Sequence, residues 1–318
     1  ECNMQTVNLS HYQFVRVSGA DAIAFLQGQV SCNMQLLSLQ HSLSGALCNL
    51  KGRVIADFRV LLYGEDCLLQ TAPGLAQVIV DTLAKYAVFS KVELQVMEKL
   101  PLVLGCSGTD AADLLAEKFG EVPAQDDGVT ESEAISIIKI PGVMDRFELW
   151  CHQEAAAGNL TSDPDMTVNA SSSGWLYEDM RAGLVHIDAA QTGQYTPQLL
   201  NYDLSGVIDF NKGCYTGQEV VARMYYRGSP KKRMYVLRSA TEITLASSVL
   251  QHIEGEQKPA EILAFANATA DESPHSLLLT ILDTRAVDNN ALVTLSDQAD
   301  QALQLLPLAY GERTQIET

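Results

Sequence analysis

Apolar residues alternate with polar ones in some stretches and recur at helical spacing in others, so strands and helices are expected to follow one another from the start of the chain. Tyr12 to Val17 alternates as a strand. Ser18-Gly19-Ala20-Asp21 then offers an N-cap serine followed by an acid, ahead of a helix carrying Ile23, Phe25, Leu26 and Val30, with Gln27-Gly28-Gln29 interrupting its polar face. Lys51-Gly52-Arg53 reads as a turn into a strand from Val54 to Tyr63, and Gly64-Glu65-Asp66 as the hairpin leading to Cys67-Leu68-Leu69-Gln70. Leu75, Ile79, Leu83 and Tyr86 mark one face of an amphipathic helix over 73–89, and Val92 to Val96 alternates again as a strand.

The pattern continues with a strand from Leu102 to Gly105 and a helix from Asp110 to Phe119 that Gly120 should stop. The acidic segment 121–133 reads as a surface loop, and strands over 134–140 and 146–151 flank a Pro141-Gly142 turn. A helix begins near Trp175 and ends at Gly183; from there to Cys214 regular signals are few, and a long irregular stretch inside a folded protein usually has a function. Beyond Gly228 short alternating strands come in succession (234–238, 247–250, 260–267, 276–282, 291–296), which predicts an all-β barrel or sandwich with a boundary near 228–232.

Composition changes this picture in two places. The 318 residues carry a net charge of −18, which argues against a surface that coats nucleic acid, yet residues 212–238 hold seven Lys or Arg and one acid, so that window alone is +6. Such a window is either a solvated basic hairpin or an anion-binding rim. The seven cysteines are scattered without a C-x-x-C pair, which supports neither a disulfide framework nor a zinc site and points to a reducing compartment. No charged-then-apolar leader opens the chain and no apolar run is long enough to cross a membrane, so a cytoplasmic location is expected.

Chemistry concentrates in Asp209 to Gly228, reading DFNKGCYTGQEVVARMYYRG. Cys214 lies between Lys212-Gly213 and a segment, Thr216-Gly217-Gln218-Glu219, that can open a short helix. A thiol beside a lysine and a helix start has a stabilised thiolate, whereas the ordinary fate of a free cysteine is burial and inertness; both readings stand at this point. No histidine lies in the stretch to serve as its base.

The run Lys212-Gly213-Cys214-Tyr215-Thr216-Gly217-Gln218-Glu219, with Ala222-Arg223 and Arg227-Gly228 after it, resembles the signature of the YgfZ family of folate-binding, tRNA-modifying proteins. Phe25-Leu26-Gln27-Gly28-Gln29, Lys51-Gly52-Arg53, the run from Lys85 to Lys91, and Gly183 through Ile187-Asp188-Ala189-Ala190 to Gln198 fall where that family has its motifs, so the resemblance covers most of residues 1–235. It implies a relative of the glycine-cleavage T-protein: an α+β fold with domains in a ring around a central folate pocket and a C-terminal all-β barrel. On that plan 1–228 is the folate-binding region, built of two interleaved α+β subdomains, and 229–318 the barrel.

The implied function is that of a folate-binding accessory protein supporting iron–sulfur cluster synthesis or repair in client enzymes, among them a tRNA methylthiotransferase, and so tRNA modification. The alternative is a folate-dependent aminomethyl or methyl transferase, and no reaction is assigned. The cofactor implied is tetrahydrofolate or a derivative; the partners are folate and iron–sulfur enzymes, with no metal ligand set, no membrane and no stable direct contact with nucleic acid. Residue by residue, the resemblance places Trp175 at a tryptophan of the folate pocket and Tyr12 where enterobacterial members have a second one. A pteridine also needs polar groups for its ring edge and cations for its glutamate tail, which Gln198 and Gln29, and Arg223, Arg227 or Lys51, can supply. Cys214 and Lys212 are the candidates for chemistry. Asp57 falls in the region of the T-protein's catalytic aspartate, with a solvated carboxylate at a strand end as the plainer reading, and Asp188 is either a turn cap or a site group.

Overall fold

Three antiparallel sheets take up the alternating segments, two of them in the first of two units into which the chain divides. The computed structural model describes residues 3–228, 230–268 and 273–310. The first unit comprises Glu1–Ser172, His186–Tyr195 and Gly206–Ala222; the second comprises Ser173–Val185, Thr196–Ser205 and Arg223–Thr318.

In chain order the first unit contains β1 (Gln5–Asn8), β2 (Gln13–Ser18), α1 (Ala22–Gln27), β3 (Leu43–Cys48), β4 (Val54–Tyr63), β5 (Asp66–Thr71), α2 (Ala76–Ala84) and β6 (Glu93–Met97). It continues with β7 (Leu102–Ser107), α3 (Ala111–Phe119), β8 (Val129–Ser132), β9 (Ile135–Lys139), β10 (Arg146–Cys151) and α4 (Glu154–Ser162). One sheet has the order β3-β4-β5-β2-β6 and the other β1-β7-β10-β9-β8. The second sheet packs its apolar face on α3 and α4 through Leu104, Phe147 and Leu149 against Leu115 and Leu160. The two sheets meet where the edge of Trp150 stands on Phe14, with ring centroids 5.0 Å apart. Buried Glu148 is tolerated there because it accepts from Trp150 Nε1 and Gln70 Nε2, each at 2.8 Å.

After α5 (Ser172–Arg181) and α6 (Gln218–Tyr226) come β11 (Lys232–Ser239), β12 (Val249–Ile253), β13 (Glu256–Asn267), β14 (Ser276–Asp283), α7 (Thr284–Asp288), β15 (Val293–Leu295), β16 (Gln298–Ala302) and β17 (Gln304–Leu306). These strands form one antiparallel sheet, order β16-β15-β12-β13-β14-β11-β17, curled as an open half-barrel. Central β14 is buried on both faces almost to its end, whereas edge strand β16 is exposed along most of its length, as expected of a sheet whose middle is covered and whose edge is polar. Tyr235, Leu237, Leu278 and Leu295 pack together in its core.

Several expectations need correction. The helix expected over 73–89 spans only Ala76–Ala84, because the buried stripe of Leu75, Ile79 and Leu83 ends there; Tyr86 is 44% exposed, Val88 74% and Phe89 99%. Ser18 does not cap α1: Asp21 stands at the N-cap, and its carboxylate accepts from the Lys91 amide instead of from the helix. Within the expected acidic loop, Val129–Ser132 is extended and pairs with β9, since Val129 has an apolar neighbour to cover it. The strands β1, β3, β16 and β17 lie in segments with too few alternating positions to signal them.

His152, just after β10, is held by Ser136 Oγ at 2.7 Å and stacked on Tyr63 with centroids 3.7 Å apart. Burial pulls its imidazole down to about 4 from an ordinary 6.5. The unfolded chain therefore binds a proton that the folded chain refuses, and stability is expected to fall as pH drops from about 6.5 towards about 4, by no more than about 3 kcal/mol. Urea unfolding across that range checks it; a His152→Gln variant should show a flatter dependence, and an unchanged one would assign the slope to other groups.

Candidate functional site around Cys214

Cys214 is exposed, whereas Cys32, Cys48, Cys67, Cys106 and Cys151 are buried, and all six are free thiols. Burial pushes the thiols of Cys32, Cys48, Cys67, Cys106 and Cys151 up to about 12, so at neutral pH none of the five supplies a thiolate. Cys214 instead lines a cavity of about 350 Å³ together with Gly28, Leu50 and the run Tyr215 to Val220. Cys214 is therefore not a buried thiol.

The loop that carries it is fixed from below. Lys212 is only 7% exposed, and its Nζ donates to the carbonyls of Gln27 (2.8 Å), Val30 (2.5 Å) and Cys32 (2.8 Å). An ammonium has three protons, and all three are committed to the C-terminal end of α1 and the turn that follows. Burial lowers Lys212 to about 8, which leaves it protonated at neutral pH. Its ring neighbour is Tyr215, with Nζ 5.0 Å from the centroid. Lys212 is thus a clamp that positions the cysteine loop, where the sequence suggested a counter-ion beside the sulfur.

Other motifs read in the sequence converge on the same place. Thr216 Oγ1 donates to Gln29 Oε1 at 3.0 Å, so Gln29 is spent on the loop. Gly217 has φ +83°, and a Cβ on it would lie 2.4 Å from the carbonyl oxygen of Asn49. A Cβ on Gly52 would lie 2.9 Å from the Val220 side chain. The Asn49–Arg53 turn therefore packs closely on the start of α6, with Gly217 against the Asn49 carbonyl and Gly52 against the Val220 side chain, and glycine permits both approaches. Behind the turn, the Val54 amide bonds the Tyr195 carbonyl at 2.8 Å and Arg53 Nη1 the Gln194 carbonyl at 2.7 Å, which joins the Gly193-Gln194-Tyr195 segment to the same assembly. Lys51 stays exposed.

The folate candidates are distributed differently. Tyr12 is half-buried in the first unit, its ring 4.4 Å from His11. Trp175 (3% exposed, on α5) and Gln198 (1%) are buried in the second unit, to which exposed Arg223 and Arg227 also belong. Near Gln198, the buried Oγ1 of Thr196 meets no hydrogen-bond partner among the described residues.

Asp57 does not sit in solvent at a strand end. It lies in mid-β4, 6% exposed, with Oδ1 2.7 Å from His186 Nδ1 and Oδ2 accepting from the Ile187 amide at 2.8 Å. His186 is the residue that sequence reasoning missed: nothing local signals it, because its partner is 129 positions away. Asp188 is a cap, its Oδ1 taking the Gln191 amide while Gln191 Oε1 takes the Asp188 amide, at 2.9 and 3.0 Å.

No family model matches the chain. Curated relatives do, among them three called tRNA-modifying protein YgfZ. That of Photorhabdus laumondii is 30% identical over 309 residues, 96% of this chain and 92% of its own length. The Hamiltonella defensa relative is 36% identical over 231 residues, 72% of this chain and 68% of its own. The Yersinia enterocolitica relative is 30% identical over 312 residues, covering 98% and 94%. Among solved structures, the glycine cleavage system aminomethyltransferase T from Bartonella henselae superposes with a TM-score of 0.72 at 18% identity, over 98% of this chain and 87% of that one, which shows that the two share a fold. No helix among the described residues is long and apolar enough to cross a membrane.

Proposed function

Because the chain belongs to the YgfZ family of tRNA-modifying proteins, we propose that it serves tRNA modification as a cytoplasmic, folate-binding accessory of iron–sulfur enzymes, with Cys214 as its working thiol. The observation that carries this reading is the placement of one exposed thiol in a cavity whose loop is pinned by Lys212, Gln29 and the Asn49–Arg53 turn. Rigid support of that kind is what a single reactive group requires. A cluster takes about four thiolates, so one cysteine acts on sulfur or iron in transit, or jointly with a client enzyme, a tRNA methylthiotransferase among them.

The residues fit tetrahydrofolate in kind. Trp175 offers a ring for the pteridine, Gln198 and the unpartnered Thr196 hydroxyl offer polar atoms for its edge, and Arg223 and Arg227 offer charges for the glutamate carboxylates. When bound, the folate supplies a carrier for a one-carbon unit. On this reading the domains ring a central folate pocket, with 1–228 as the folate-binding region and 229–318 as the barrel.

Tetrahydrofolate should quench tryptophan fluorescence in the wild-type protein, and the quench should be lost in Trp175→Phe, since the remaining Trp150 is fully buried in the first unit. Cys214→Ala should keep the folate titration and fail to complement a deletion strain. Unchanged quenching and affinity in Trp175→Phe would remove the pocket assignment, and full complementation by Cys214→Ala would remove the thiol.

The pairing of buried Asp57 with exposed His186 favours a second reading, a one-carbon transferase, in which Asp57 serves the reacting amine. Turnover of an aminomethyl or methyl donor that Asp57→Asn abolishes would establish it.

A further inference from the structure

The structure sorts the +6 window into cations that hold the fold and cations that face solvent. Lys212 is the carbonyl clamp. Arg233 is 8% exposed and forked onto Asp203, both contacts at 2.7 Å, with Asn201 Oδ1 at 3.2 Å. Neither is available to a ligand. Arg223 and Arg227 are exposed near and just beyond the C-terminal end of α6, and Lys231 and Lys232 are exposed at the start of β11. Arg227 and Lys231 are joined by so short a segment that their Cα atoms lie within about 14 Å.

A further cation comes from elsewhere in the sequence. The Thr284 amide bonds the Lys231 carbonyl at 3.0 Å and its Oγ1 the Pro230 carbonyl at 2.9 Å, which stitches the first turn of α7 to this segment and brings exposed Arg285 to the same end of the sheet. Arg227, Lys231, Lys232 and Arg285 enter no ion pair among the described residues. The nearest acid in register, Asp283 opposite Lys232, accepts from the Ala286 amide through Oδ1 at 3.0 Å as the cap of α7. Tyr226, the residue before Arg227, is 70% exposed, its ring held edge-on to Tyr225 with centroids 5.1 Å apart.

We propose that this surface, Lys231, Lys232 and Arg285 with Tyr226, is a weak contact for RNA, the cations on the phosphate backbone and the tyrosine on an unpaired base. Net charge is −18 for the chain, so a cationic cluster left unpaired against that background focuses a polyanion to one place. An exposed aromatic ring among cations is what stacking on single-stranded bases uses, and an acidic protein surface has no need of it. With so few phosphate contacts the binding is labile to salt. The choice of RNA rests on the tRNA-modification reading, while the patch itself rests on the placement of charge.

The test is fluorescence anisotropy with labelled oligouridine and with a tRNA, at several salt concentrations, on the full chain. The wild type should bind at low salt, with a log K against log salt slope near −0.7 per phosphate engaged. The triple variant Lys231→Ala, Lys232→Ala, Arg285→Ala should bind roughly tenfold more weakly and lose about two units of that slope. Tyr226→Ala should lose several-fold in affinity for oligouridine with the slope unchanged. Tetrahydrofolate titration of the triple variant should match wild type, which separates a failure here from a failure of the folate reading. Absence of binding at low salt, retention of wild-type binding by the triple variant, or a Tyr226→Ala variant that binds as wild type would each overturn the proposal; the last would leave a surface that attracts any polyanion.

Discussion

Lys212→Met is expected to cost roughly 3–5 kcal/mol of stability and to lower the Tm by about 10 °C, far more than the loss of any exposed lysine. Methionine matches the volume of the stem but offers no proton, so the carbonyls of Gln27, Val30 and Cys32 lose a shared, charge-assisted donor. Part of the penalty for burying the ammonium is recovered, which keeps the estimate from being larger. The damage should also be local. Cys32 is 3% exposed, and the carbonyl of that same residue is one of the three acceptors. In a Cys2→Ser background, Cys214 should be the one thiol among the described cysteines that reacts promptly with a disulfide reagent in native protein, and in Lys212→Met Cys32 should appear as a second. Thermal unfolding and thiol counting check this together. A wild-type Tm with a single reactive thiol would mean that the three carbonyls find water without cost and that the clamp does not hold the loop.

That clamp also marks how far the sequence could be read. The strands β4 and β10 were legible to the residue, because Val54–Tyr63 and Arg146–Cys151 carry β-forming side chains, the first between two turns and the second after the Pro141-Gly142 turn. The helix over 73–89 was over-read: spacing placed Tyr86 on the apolar stripe, but the core beneath ends at Leu83 and the chain turns away. The Cys214 loop was legible as a site because its glycines, lysine and cysteine are adjacent in sequence. The use of Lys212 was not, since its acceptors lie about 180 positions earlier. The same holds for His186 with Asp57, and for Arg233, whose charge counted in the basic window while its guanidinium was already committed to Asp203. Charge and spacing are properties of the chain, whereas pairing across the fold is set by which strands come to lie side by side.

Gly217→Ala should be the second large effect, roughly 2–4 kcal/mol of destabilisation, and it tests the other support of the cysteine loop. Two costs add. At φ +83° an alanine is in the left-handed region, which costs about 1–2 kcal/mol. Its Cβ would also stand 2.4 Å from the carbonyl oxygen of Asn49, a backbone atom that cannot swing aside. Asn49 is itself fixed: its amide bonds the Arg53 carbonyl, its own carbonyl takes the Gly52 amide, and its Oδ1 takes the amides of Lys51 and Arg53. The strain is therefore expected to spread into the turn and open the cavity around Cys214. Gly213→Ala is the matched control, since nothing lies within 4 Å of a Cβ at that position and stability should move by less than about 0.5 kcal/mol. Chemical unfolding of the two variants, with complementation of a deletion strain alongside, separates strain from chemistry: Gly217→Ala should lose both stability and complementation, while equal stability of the two would show that the loop rises off Asn49 without cost.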